Sequence, residues 1–383
     1  MLLDRLIGFF TSLKLTVVCL VLGMVLVFIG TLAQVDLGLY RAQEQIFQSF
    51  VVFWGPKGAG WKLPVFPGGY LIGGLLLINL VSAHYKRFGF RKDKLGIIIT
   101  HLGIILMLIG QIGTDLLSRE SSLHLRVGEA RNYSEADRRM ELALIDVTDS
   151  KSDSVFAIPD SRLATERQIR DAALPFAVTV LKFLPHSSLS STAKPGFDKV
   201  PATAGFGPQL WYRAEPKVTK MDARDMPTAI VELHTPQGQS LGTWLISSYL
   251  DQPQTVTVGG RTYQIDLRLR RYYQGFSLRL LEFRHDVYKG TDIPKNFSSL
   301  VRVQNPRTGE DRQVKIYMNN PLRYGGLTFY QASFDADNQG SVLQVVRNPG
   351  WLTPYLACIL VGAGLLIQFL SHLIPFLQRR LKS

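Results

Sequence analysis

The chain has 383 residues, 43 Lys and Arg against 30 Asp and Glu for a formal net charge of +13, and 46% apolar residues. That apolar content excludes a disordered chain, and two cysteines, Cys19 and Cys358, each set in an apolar run, exclude a disulfide framework. A mean hydropathy of +0.10 is what very apolar segments averaged with a polar domain produce, so membrane helices are the first expectation.

A hydrocarbon core of about 30 Å takes roughly 17–25 helical residues. Four stretches meet or approach that length: 15–35, 69–87, 95–117 and 352–374. The second carries Asn79 and is the shortest in apolar content. The first has no small-residue cleavage site before charged sequence resumes, so it reads as a retained span and not as a signal peptide. Arg5 and Lys14 precede the first span, Lys86, Arg87, Arg91, Lys92 and Lys94 crowd the loop between the second and third, and Arg379, Arg380 and Lys382 follow the last. Four crossings put all these cations on one side, which the excess of Lys and Arg in cytoplasmic loops makes the cytoplasm. Both termini are then cytoplasmic and residues 118–350 extracytoplasmic, in a multi-pass protein of the cell membrane. The positive charge is accounted for by topology and lipid headgroups and calls for no nucleic acid.

The chain thus divides into a membrane region, 1–117, a domain, 118–350, and a last span with a basic tail, 351–383. Within 118–350 the pattern turns to short period-two segments rich in Val, Ile, Thr, Tyr and Phe. It predicts a β-rich fold, a sandwich or barrel. The clearest unit is a hairpin over 254–269, turning at Gly259-Gly260. Further strands are expected at 177–184, 228–233 and 276–283, and at 297–303 paired with 313–318 through Asn305–Gly309. Residues 185–226 show no sustained period and read as a long connection or lid. His124, His186, His234 and His285 have no metal-ligand spacing, and Trp211, Tyr212, Tyr272, Tyr273 and Phe276 offer a docking surface if exposed.

His101 stands out because an ionisable side chain inside a span is costly and marks a functional position by default. It lies about six residues, hence roughly 9 Å, in from the basic loop. Gly96, Gly103 and Gly110 recur every seven residues as a stripe that lets another helix approach, and His101 points away from that stripe. Position alone leaves two readings open: a metal or haem ligand, or an imidazole hydrogen-bonded to a neighbouring helix with Thr100 or Gln111 nearby. Neutral imidazole is a strong axial ligand for haem iron, and a six-coordinate haem needs a second ligand at matching depth. His84 and His372 are the in-chain candidates, but both fall near the cytoplasmic ends of their spans, roughly 9 Å shallower than His101, so neither is expected to share its iron.

The plan of three early spans, a large β-rich domain and a final span resembles the ResB family, also called CcsB, of system II cytochrome c biogenesis. Local matches carry the likeness: Gly30-Thr31-Leu32-Ala33-Gln34, His101-Leu102-Gly103, the run from Met318-Asn319-Asn320-Pro321-Leu322 to Phe329-Tyr330-Gln331, and Asn348-Pro349-Gly350. The resemblance implies a non-catalytic subunit of a haem-transporting cytochrome c haem lyase. With a ResC (CcsA)-type partner, such a subunit carries haem across the membrane for attachment to apocytochrome c. It also implies that His101 is an axial ligand of that haem, the opposing ligand coming from the partner. The Met318–Gln331 run is expected to be structural, with turns at Asn320-Pro321 and Gly325-Gly326 and with Phe329 and Tyr330 in the core. Two rivals remain: a b-type haem electron-transfer subunit, and a membrane-anchored assembly factor without cofactor.

Overall fold

The computed structural model describes residues 7–56, 60–87, 94–150, 152–218, 223–291 and 294–381. Arg5, Arg91, Lys92 and Lys382 of the expected basic flanks lie outside them. The chain forms two units, one holding the residues through Arg119 and from Asn348, the other the residues from Glu120 to Arg347.

Among the described residues the first unit is built on α1 (Leu13–Leu37), α2 (Gly69–Arg87), α3 (Leu95–Leu117) and α4 (Thr353–Leu381). By length and composition α1, α3 and α4 are able to cross a membrane. The second expected span is a helix of 19 residues but falls short of the apolarity of the other three, since Asn79 and the polar end His84-Tyr85-Lys86-Arg87 dilute it. Asn79 is almost fully buried. It accepts from the Thr16 hydroxyl at 2.6 Å and donates to the carbonyls of Phe10 and Ser12 at 2.7 and 3.1 Å. The residue that weakens α2 as an apolar stretch therefore ties it to the start of α1. Interhelical polar bonds of this kind stabilise membrane helix pairs by about 1 kcal/mol.

The glycine stripe of α3 packs on α4. A Cβ on Gly96 would sit 2.6 Å from the Gln368 amide nitrogen, one on Gly103 2.9 Å from both Ala357 O and Val361 N, and one on Gly110 2.5 Å from the Thr353 methyl. Gly364 of α4 answers with its own approach to Thr100 and to Gly96 O. Backbone meets backbone along this seam because no side chain intervenes. At its end Asn348 donates to the Thr114 hydroxyl at 3.5 Å and accepts from Gly350 N at 2.9 Å, so the Asn-Pro-Gly run forms the turn into α4.

The second unit is the expected β-rich fold, with sandwich and barrel both present. Its axis is two long strands, β4 (Ala130–Asp146) and β14 (Arg261–Val287), paired antiparallel from Tyr263↔Asp146 to Arg279↔Ala130. One half of this pair, with β5 (Ser154–Pro159) and β13 (Gln254–Val258), faces a sheet ordered β12-β11-β7-β6: Ser240–Ser247, Thr228–His234, Ala177–Leu184 and Gln168–Ile169. Leu142, Leu144, Ile158, Val178, Val231, Ile246 and Ile265 fill the space between. The other half joins β3 (Arg119–Arg126), β15 (Pro294–Asn305), β16 (Glu310–Tyr317), β17 (Leu322–Tyr324), β18 (Leu327–Phe334) and β19 (Gly340–Arg347). The end strands β16 and β17 are bridged by Tyr317 and Asn320, so this sheet nearly closes on a core that includes Leu125, Leu280, Val303, Ile316 and Phe329.

The hairpin at 254–269 forms with Gly259 and Gly260 both at positive φ, 58° and 77°. Its second strand does not stop, however. β14 runs on through the expected 276–283 strand, passing irregular register near Leu269 and Tyr273 that the polar sequence there made look like a break. Residues 185–226 are not an unstructured lid. Ser187–Ser190, Trp211–Ala214 and Asp198–Lys199 form a three-stranded sheet, and Val200 and Tyr212 pack with Leu184, Ile230 and Leu245. Strands of two to four residues are too short to show a period. The proposed aromatic surface also breaks up, since Tyr212 and Phe276 are buried, Trp211 and Tyr272 are half-buried and only Tyr273 of the five is exposed.

β4 and β14 are further linked by Glu141 and Arg268, 3.2 Å apart with both side chains almost wholly buried. Beside them, burial pushes the Asp266 carboxyl above the usual carboxylate range, opposed by Arg268 and Arg271 and assisted by Glu135. A carboxyl raised in the folded state takes up a proton before the unfolded chain does. Its charge therefore costs stability at neutral pH, and that cost is relieved as pH falls through the raised value. Asp266→Asn is expected to raise the calorimetric Tm of the full chain by a few degrees at pH 7, and the gain should vanish at pH values below the ordinary range for Asp.

Candidate functional site

α2 and α3 run antiparallel on either side of residues 88–93, and His84 and His101 meet across them. Their ring centroids are 4.9 Å apart and the planes are nearly perpendicular, at 84°. The expectation that His84 lies about 9 Å shallower than His101 is therefore wrong. α2 continues to Arg87, so His84 is three residues inside its end while His101 is six residues inside α3. The difference is about 4.5 Å of helix rise, which two imidazoles span.

The Leu80 carbonyl accepts from His84 Nδ1 at 3.2 Å. That bond assigns the proton to Nδ1 and the lone pair to Nε2, the form in which a histidine ligates a metal. His101 is partly buried. Ile97, Ile105 and Leu108 share its side of α3 by helical periodicity, opposite the glycine seam. The two polar neighbours expected for a purely packed imidazole point elsewhere: the Thr100 hydroxyl donates to Gly96 O at 2.9 Å, and the Gln111 amide donates to Asp115 at 3.0 Å.

His372 does not join the pair. Gly364 marks the level of Thr100 on α4, and His372 lies eight residues, about 12 Å, further along. It is exposed, and its Nε2 lies 2.7 Å from the Gln368 amide. The cysteines are also apart in setting: Cys19 is buried and Cys358 exposed, and both are free.

One or two imidazoles beside apolar side chains are a donor set that haem iron could use. The pair's spacing decides how many ligands it supplies. Imidazoles bound trans to one iron, at about 2 Å per bond, have centroids roughly 6 Å apart with the porphyrin between them. At 4.9 Å, edge to face, His84 and His101 do not have that spacing.

The histidines of the β-rich unit have separate structural roles. His124 pairs with Asp335 at 2.9 Å, His186 accepts from Met226 N at 2.9 Å, His234 lies 3.4 Å from Glu232, and His285 stacks on Phe297 with centroids 4.7 Å apart. In the Met318–Gln331 run, Tyr317–Asn320 is a tight turn with Asn319 at φ 61°, and Gly325 and Gly326, at 58° and 75°, turn β17 into β18. Phe329 is fully buried as expected. Tyr330 is not: it alternates outward and is 37% exposed.

Residues 238–342, from β12 into β19, match the model of the ResB-like family. The chain is also similar to Protein NrfI of Wolinella succinogenes, with 24% identity over 303 residues. That alignment covers 78% of this chain and 30% of NrfI, so the chain spans less than a third of the relative's length.

Proposed function

We propose, from the match of residues 238–342 to that model, that the chain is of the ResB-like family and is a membrane component of cytochrome c maturation. In this reading it works with a ResC (CcsA)-type partner to move haem across the cell membrane, for covalent attachment to apocytochrome c. The observation that carries the reading is the His84–His101 contact on the side of α3 away from the α4 seam. Haem is the cargo, and its iron supplies the Lewis-acid centre that an imidazole holds.

His101 is the axial ligand of that cargo, being the deeper of the two imidazoles, and His84 orients it. With the two imidazoles side by side at 4.9 Å, an opposing ligand would come from the partner. Ile97, Ile105 and Leu108 supply the apolar wall that excludes water. The antiparallel succession of α1 to α4 is that of four crossings, with α2 held in place by Asn79. Lys86 and Lys94 then mark the cytoplasmic side, both termini are cytoplasmic, and the β-rich unit is extracytoplasmic, where apocytochrome c is met.

Cells deprived of this chain are expected to lose covalently bound haem in their c-type cytochromes on haem-stained gels while b-type spectra persist. Normal c-type staining in such cells would contradict the proposed role. The assembly-factor alternative gives the same loss, and it is separated from haem handling by the His101 variants below.

A further inference from the structure

Between α1 and α2 the chain folds back and forms a two-stranded hairpin that the sequence reading passed over. Its strands are β1 (Val51–Trp54) and β2 (Leu63–Pro67), paired from Val51↔Pro67 to Trp54↔Leu63. The root is fixed in depth by three glycines. A Cβ on Gly30 of α1 would meet the Phe47 ring at 2.3 Å, one on Gly69 at the head of α2 would meet Phe47 O at 2.2 Å, and one on Gly68 would meet Ser49 O at 2.0 Å. Phe47 is thereby wedged between the two helices at the level of Gly30. α1 continues to Leu37, seven residues or about 10 Å beyond. A helix of 25 residues is about 37 Å long, only a little more than a hydrocarbon core of about 30 Å. The hairpin therefore leaves the bundle inside the depth of a leaflet.

Its composition fits that place and no aqueous one. Val52 and Phe66 pack on the α1–α2 cluster around Leu26 and Ile72, which accounts for one face at the root. The rest is bare: Phe50, Phe53, Trp54, Trp61, Leu63 and Val65 are 66, 56, 61, 53, 55 and 52% exposed. A patch of this kind on a protein surface marks an interaction site. Tryptophan is enriched where a membrane meets water, because its ring is apolar and its N–H needs a polar partner. The ribbon has no third strand among the described residues, so its outer edges carry unpaired peptide groups that hydrocarbon cannot satisfy and the interfacial layer can. Pro64 and Pro67 remove two of the donors on β2. An open groove lined by Gln45, Ser49, Phe50, Val51, Phe53 and Lys62 sets an ammonium at the rim of an apolar floor, matching a phosphate headgroup above its acyl chain.

We propose that the Val51–Pro67 hairpin is a lipid-binding anchor, seated in the interfacial layer of the leaflet at the Leu37 end of α1. It fixes the height of the α1–α2 pair in the bilayer. The proposal is independent of haem, since it rests on the other end of the helices from His101.

The test is tryptophan quenching in nanodiscs made with phosphatidylcholine brominated at either the 6,7 or the 11,12 acyl positions. The protein is the full chain and its Trp54→Phe/Trp61→Phe variant, and the emission lost in the variant is the component read. Both rings are mostly exposed, so phenylalanine leaves the fold intact. Trp351, 49% exposed at the start of α4, serves through Trp351→Phe as the comparison. The hairpin component is expected to be roughly halved by the shallow bromines and less affected by the deep ones, as for interfacial tryptophan. A component unchanged in both brominated lipids overturns the proposal. Iodide sensitivity would then mean a hairpin in water, and insensitivity one covered by another protein.

Discussion

Replacing His101 by alanine is expected to strip haem from the complex of this chain with its partner, so that the purified complex carries pigment near background. On the proposed reading the iron would lose its ligand from this chain, and His84, about 4.5 Å shallower and held through Nδ1 by the Leu80 carbonyl, would be out of place to substitute for it. His84→Phe keeps a ring packed edge to face with His101 but removes the nitrogen. Its expected effect is smaller and of a different kind: haem is retained with an affinity weakened roughly 10–100-fold, the usual scale for losing a group that orients a ligand. Haem content and the pyridine haemochrome assay of the two complexes check this order. Equal losses in both variants would make the pair a joint site, and no loss in either would leave the imidazoles with a packing role alone.

The second large effect is expected at the α3–α4 seam. Gly103→Ala places its Cβ 2.9 Å from both Ala357 O and Val361 N, backbone atoms of a helix that cannot turn aside. The two helices must separate along several residues, which costs about 1–3 kcal/mol by comparison with overpacked cores, and Gly103→Leu costs more. Gly110→Ala meets the Thr353 methyl, a side-chain group that can rotate away, so it should be the milder of the two. Thermal unfolding of the detergent-solubilised chain should rank Gly103→Leu, Gly103→Ala and Gly110→Ala in that order of destabilisation. Identical unfolding temperatures for Gly103→Ala and the wild type would mean that the seam is looser than the distances imply.

Much of this architecture is legible in the residues because single physical rules dominate it. A heptad of glycines on one helix demands a close neighbour, and α4 is that neighbour. Two successive glycines between alternating apolar residues demand a tight hairpin, and Gly259-Gly260 makes one. The harder parts are those in which tertiary contacts override local pattern. Val200 and Tyr212 hold together a sheet whose strands are too short to have a period. β14 crosses from sandwich to barrel through a polar stretch, where Arg271 pairs with Glu135 at 2.9 Å and lies over the Tyr133 ring. The Val51–Pro67 hairpin has strands of four and five residues between two prolonged helices, and its exposed aromatics look like core until the fold is known.

At the candidate site the sequence pointed to His101 and misjudged His84. The signal that would have found the pair lies in the helix ends: His84 is three residues inside the end of α2 and His101 six residues inside the start of α3, close enough in depth for two rings to meet. Placing His84 at the very end of its span made it about 4.5 Å, or three residues, too shallow. Asn79 illustrates the same lesson in reverse. It reads as a flaw in an apolar stretch, yet its three hydrogen bonds to Phe10, Ser12 and Thr16 hold α2 against α1.

The most direct measurement of the central claim is the visible absorption spectrum of the reduced complex carrying His101→Gly, prepared without and with millimolar imidazole. A ring that ligates iron leaves a cavity of its own shape when removed. The account predicts that the variant isolated without imidazole has lost its haem and with it the six-coordinate low-spin signature, and that both are retained when imidazole is present during growth and purification. A His101→Gly complex with the haem content and spectrum of the wild type, indifferent to imidazole, would contradict it.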